Sequence, residues 1–134
     1  MPGYSGTPLP KKLGIKDGFT SCLIDAPTDV LAELNTVLSA CRLIDGTDAP
    51  LDFIHFFTKS KAALAKDFER LSKQLAPGGM LWISWPKKSS GLATDLDENV
   101  VRNIGLAAGL VDVKVCAVTD VWSGLKFVRR VKDR

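Results

Sequence analysis

Apolar residues along this chain follow two spacings. Short apolar runs occupy residues 19–24, Leu51–Phe57, 80–85, 111–118 and 125–131, and each reads as a strand. Between them, Val30, Leu31, Leu34, Val37 and Leu38 recur at helical intervals after Thr28 or Asp29, either of which serves as a cap. Leu64, Phe68, Leu71 and Leu75 form a second helical stripe, with Ser60 as its N-cap and Pro77-Gly78-Gly79 as its stop. Val100, Val101, Ile104, Ala107 and Ala108 mark a third helix. Asp95 and Glu98 open it at capping-box spacing, and Thr94 and Asp97 supply the neighbouring register. Gly105 inside that helix predicts a close backbone approach, since glycine there costs about 1 kcal/mol against alanine.

Cys41-Arg42-Leu43-Ile44 adds a brief strand, closed by an Asp45-Gly46 turn. The run Leu51–Phe57 is almost continuously apolar, as a strand covered on both faces of a parallel sheet must be. The last two strands are separated by six residues, too few for a crossover helix, so they form an antiparallel hairpin. The expected fold is therefore a single-domain α/β protein. It has a mostly parallel open sheet of five to six strands, helices on both faces and a C-terminal antiparallel hairpin. Residues 1–18, rich in Gly, Pro and Lys, read as an extended arm carrying at most one short helical turn. Residues 19–134 read as the domain.

Composition changes this picture little. The 134 residues are 46% apolar and 25% charged, as in an ordinary globular domain, and a net charge of +3 permits anionic partners without requiring them. The amino end has no apolar core of a secretory signal, and no run approaches the roughly 18 apolar residues of a membrane span. A cytoplasmic protein without membrane contact is expected. Cys22, Cys41 and Cys116 are widely separated in apolar runs and read as reduced thiols packed in or near strands. His55 is the only histidine, so neither a Cys/His metal site nor a Ser/His/Asp triad can be assembled from sequence. Asp95, Asp97 and Glu98 sit where a helix start needs acids, and no catalytic residue is assigned.

In an open parallel sheet, ligands bind outside the carboxyl ends of the strands, near the point where strand order reverses. The loops expected there gather Lys59, Ser60, Trp85, Lys87, Lys88, Ser89 and Ser90, a rim of ammonium and hydroxyl groups that suits an anionic group. The expected partners are an anionic small molecule, a protein or a nucleic acid. Trp85 could flank a planar ligand.

Leu75-Ala76-Pro77-Gly78-Gly79 followed by Met80-Leu81-Trp82-Ile83-Ser84 resembles the L-x-P-G-G-x-L-x-I-S segment of class I S-adenosylmethionine-dependent methyltransferases. The resemblance continues through the next helix, Ala108-Gly109-Leu110-Val111-Asp112-Val113-Lys114-Val115 and the terminal hairpin. It covers residues 51–131 and implies a Rossmann-like fold. The whole chain, especially YSGTPLPKKLGIKDG, WPKKSSGLATDL and GLAAGLVDVKVCAV, is also similar to a family of small bacterial proteins described as a domain of unknown function. The methyltransferase resemblance implies S-adenosylmethionine as cofactor, held by a Gly-rich turn after the first strand and an acid after the second. In this chain the matching turn is Asp25-Ala26-Pro27-Thr28, without glycine, and the matching acid is Asp45, 20 residues later. The expected function is accordingly a non-catalytic binding or regulatory domain, with a diverged methyltransferase as the alternative.

Overall fold

The computed structural model describes residues 6–45 and 50–134. In chain order the elements are α1 (Leu9–Leu13), β1 (Thr20–Ile24), α2 (Thr28–Ser39), β2 (Arg42–Leu43), β3 (Leu51–Phe57), α3 (Lys61–Lys73), β4 (Leu75–Pro86), α4 (Glu98–Ala107), β5 (Leu110–Ala117) and β6 (Trp122–Arg129). The six strands form one sheet in the order β2-β1-β3-β4-β6-β5. β2, β1, β3 and β4 run parallel, and β6 lies antiparallel to both β4 and β5. The fold class is the one expected.

Alternation along the strands assigns each face its own core. Ile54, Phe56, Leu81 and Ile83 point to the face covered by Leu64, Phe68 and Leu71 of α3 and Val101 of α4. Phe53, Phe57 and Trp82 point to the other, covered by Leu9 and Leu13 of α1 and Val30 and Leu34 of α2. Gly105 faces the sheet, and a Cβ there would collide with the ring of Phe127, which is fully buried against Phe68. This close approach explains a glycine in the middle of α4.

Three local features refine the reading of the sequence. First, the one short helical turn of the arm lies at residues 9–13, and Leu9, Leu13 and Ile15 are buried. The indole N–H of Trp82 donates to the Leu13 carbonyl at 2.8 Å, and the Lys114 ammonium donates to the Lys12 carbonyl at 2.8 Å. A helix this short has little stability of its own, so tertiary contacts hold it. Second, α3 ends at Gln74 rather than at Pro77-Gly78-Gly79. Leu75 already pairs with Leu51 in the sheet, and the register shifts between Leu51 and Phe53. A Cβ at Gly79 would lie 2.6 Å from the Leu51 carbonyl oxygen, so this glycine serves a strand irregularity, not a helix cap. Third, α4 starts two residues later than the Asp95/Glu98 box. Asp97 is the N-cap and accepts from Val100 N–H at 2.9 Å, while Glu98 pairs with Arg102 at 2.6 Å.

Candidate functional site

Strand order reverses at β1, with β2 on one side and β3 on the other, so the ligand crevice of this architecture lies at the carboxyl ends of β1 and β3. β1 leads into Asp25, which is exposed and adopts φ +58°, a left-handed conformation unusual for a residue with a side chain. Pro27 then caps α2 with no side-chain bond to the helix amides, and Asp29 takes the Val30 N–H itself at 3.0 Å. The turn thus has the backbone shape that glycine adopts easily. It presents a carboxylate where a glycine would leave space, and a proline where an amide could donate.

Asp45 follows β2, while Gly46, the other half of the expected turn, lies outside the described residues. The Asp45 carboxylate is close enough to Cys22 of β1 to act on it. Burial, then Asp45, push that thiol above its ordinary range, against an opposing effect of Arg70.

At the end of β3, Thr58 and Ser60 are committed to the chain's own turn. Ser60 N–H donates to Thr58 Oγ1 at 3.2 Å, and Ser60 Oγ caps α3 by accepting from Ala63 N–H at 3.1 Å. The loop after β4 straps across this helix end. Thr94 Oγ1 donates to the Lys59 carbonyl at 2.7 Å, and Asp95 Oδ1 accepts from Lys61 N–H at 2.7 Å. Asp95 therefore occupies the amide end of α3, where an external anion would otherwise be drawn.

The same loop carries most of the anion-binding candidates. Lys87 N–H bonds the Val121 carbonyl, and residues 88–90 form a single 3-10 turn. Ser90 Oγ donates to the Lys87 carbonyl at 2.6 Å and accepts from Leu92 N–H at 3.2 Å, so its hydroxyl belongs to the loop. Lys59, Lys88 and Ser89 are exposed and Lys87 is half-buried. Beside them an open cleft of about 480 Å³ is lined by Lys88, Leu92, Thr94, Asp95 and Asp97. Trp85 is 5% exposed and packs in the core with Leu96 and Leu125, so its ring has no open face for a ligand.

The register also gives His55 a partner that the sequence did not reveal. β3 and β4 bring His55 Nε2 within 2.7 Å of Ser84 Oγ. Both side chains are fully buried, and the imidazole stacks on Phe57 with centroids 4.1 Å apart. Burial pushes its pKa down to about 3, and Nδ1 has no hydrogen-bond partner among the described residues. A Ser–His dyad needs an accessible hydroxyl and an oriented base. This pair has neither, and it is core structure. Among the described residues no three His, Cys, Asp or Glu side chains gather as a metal site, and no helix is long and apolar enough to cross a membrane.

No family model matches the chain, and no curated protein sequence does either. Solved structures do match, several of them methyltransferases. Magnesium protoporphyrin IX methyltransferase from Synechocystis PCC 6803, with bound S-adenosylhomocysteine, superposes with a TM-score of 0.62 at 11% identity, over 90% of this chain and 78% of that one. A precorrin-6y C5,15-methyltransferase from Geobacter metallireducens gives 0.60 at 8% identity, over 91% and 86%. A methyltransferase from Pyrococcus furiosus gives 0.56 at 16%, over 89% and 78%. The chain therefore has the Rossmann-like fold of the class I S-adenosylmethionine-dependent methyltransferases.

Proposed function

We propose that this protein is a non-catalytic, methyltransferase-like binding domain that takes an anionic ligand on the Lys59, Lys87 and Lys88 rim. The observation that carries the reading is the turn after β1. Asp25 and Pro27 stand where a cofactor with an anionic end needs glycine space and amide donors, so this turn fits S-adenosylmethionine poorly. Asp25 makes that side of the crevice negative, which directs an anionic group toward the lysines at the ends of β3 and β4. Among the described residues no accessible Ser–His pair accompanies it, since the imidazole is buried against Ser84. Lys59→Glu with Lys88→Glu should abolish salt-sensitive binding of phosphorylated small molecules in calorimetry. Unchanged binding in that variant, or none in the wild type, would refute the anion-site reading.

The alternative, a diverged methyltransferase, draws support from the fold likeness to structures with bound S-adenosylhomocysteine and S-adenosylmethionine, and from the acid that follows β2. In it Asp45 holds the ribose hydroxyls. Low-micromolar binding of either compound that disappears in Asp45→Ala would establish the alternative over the first reading.

A further inference from the structure

Of the three tryptophans, Trp82 is fully buried and Trp85 is 5% exposed, whereas Trp122 keeps part of its surface in solvent. Trp122 opens β6 directly opposite Pro86, the last residue of β4, and meets the crevice where β3 and β4 end. Its indole crosses the ring of Phe57, the last residue of β3, at 80° with centroids 5.4 Å apart. The backbone behind it is fixed. The buried Thr119 Oγ1 accepts from Val121 N–H at 3.0 Å and from Trp122 N–H at 3.1 Å, and the Trp122 carbonyl accepts from Val118 N–H at 2.9 Å. An aromatic side chain already held in this way loses little freedom when a second ring stacks on it.

A cation adjoins this ring. Lys87 follows Pro86, and its backbone N–H donates to the carbonyl of Val121, the residue before Trp122, at 2.8 Å. Lys87 is half-buried and acts on Cys116, whose side chain packs against the same apolar cluster as Trp122. Its ammonium is therefore within electrostatic reach of that cluster. Ala26, in the turn after β1, packs against the cluster too, so the crevice at the ends of β1 and β3 borders the indole's surroundings. Paired strands lie roughly 5 Å apart, which brings the ring and the lysine within the span of one small molecule. A half-exposed indole is stabilised by a flat ring laid over it, and the ammonium by an anionic group.

We propose that Trp122 is a stacking platform beside the lysine rim and that the ligand is a mononucleotide, with its phosphate on Lys87 and its base on the indole. The inference rests on the anion-binding reading of the rim and names the ligand class for it. One platform with one adjoining cation suits one base and one phosphate. An extended nucleic-acid strand needs successive platforms and a track of cations instead.

The probes are AMP and ribose 5-phosphate, which differ only by the base, compared by calorimetry and by tryptophan fluorescence. Wild type should bind AMP about tenfold more tightly, the usual gain from stacking one base on an aromatic side chain. AMP should also quench the emission of the solvent-accessible tryptophan, which ribose 5-phosphate should not. Trp122→Ala should bring AMP to the level of ribose 5-phosphate and leave the latter unchanged. Trp122→Leu, which fills more of the space without a stacking ring, should do the same if the alanine variant fails to fold, and Trp122→Phe should keep most of the preference. Lys87→Gln should weaken both ligands several-fold and preserve their ratio. If ribose 5-phosphate binds but AMP binds no more tightly, or if the preference survives the loss of the ring, this proposal falls while the anion site stands. If wild type binds neither compound, both fall together. Binding of an oligoadenylate strand far more tightly than AMP would overturn the mononucleotide assignment as well.

Discussion

His55 is neutral in the fold because burial among the rings of Phe53, Phe57 and Trp82 strips its cation of water. In the unfolded chain the same imidazole takes up a proton near its ordinary 6.5, and in the folded protein only near 3. Between those values the unfolded state binds more protons, so stability declines as pH falls. The loss approaches roughly 1.4 kcal/mol per pH unit, and the contribution is complete above pH 6.5. As the only histidine, His55 is the one side chain whose ordinary pKa lies near 6.5, so the interval from pH 6.5 to 5 reports chiefly on it. Urea midpoints should therefore drop across that interval in wild type and stay level in His55→Phe. A flat wild-type profile would show that the imidazole is solvated. The Ser84 contact was hidden in the sequence because it depends on the offset between two strands that sit 29 residues apart.

At the scale of elements, the strong periods were legible and the junctions were not. α2, α3 and α4 arise from apolar stripes that any helix must bury, and Ser60 caps α3 as its position implies. β4 begins five residues before its apolar run because Leu75 answers to Leu51 across the sheet, a tertiary pairing that no local pattern carries. α1 was obscured for the same reason. The Gly- and Pro-rich arm reads as extended with one short helical turn, and only the bare face of Phe53 and Trp82 makes Leu9 and Leu13 core residues. Leu13→Ala should therefore cost about 2–4 kcal/mol, as for a fully buried leucine elsewhere, although it lies in a five-residue helix. Chemical denaturation would measure this, with a red shift in tryptophan fluorescence as Trp82 meets water. A loss below 0.5 kcal/mol, typical of a surface site, would mean that α1 is loosely attached.

For the whole molecule, the order of strands and helices along the chain announced the architecture, since a repeated strand–helix alternation with a terminal hairpin leaves few topologies. Sites were less legible because they are assembled by the topology. The rim at Lys59, Lys87 and Lys88 could be anticipated from where parallel strands end. The contact of Lys114 with the Lys12 carbonyl could not, as the two meet only after α1 folds back across β6 and β5. Asp95 shows the opposite limit: it read as a helix-start acid of α4 and serves the amide end of α3 instead.

That closure joins residues separated by 102 and 105 positions, Lys12 with Lys114 and with Ala117. It also imposes a sequence of events in time. A chain emerging from the ribosome amino end first exposes Leu9, Leu13 and Ile15 well before the strands that hold Lys114 and Ala117, 102 and 105 residues after Lys12. Because closing so long a loop is entropically costly and α1 has no stability of its own, its docking should be a late step. Pulsed hydrogen exchange during refolding should accordingly protect the amides of β3 and β4 before the Trp82 indole and the amides of α1. Simultaneous or earlier protection of α1 would contradict this order. Until β5 and β6 are made, then, α1 lacks the partners that tie down Lys12, and the closing hairpin completes its shelter from aggregation.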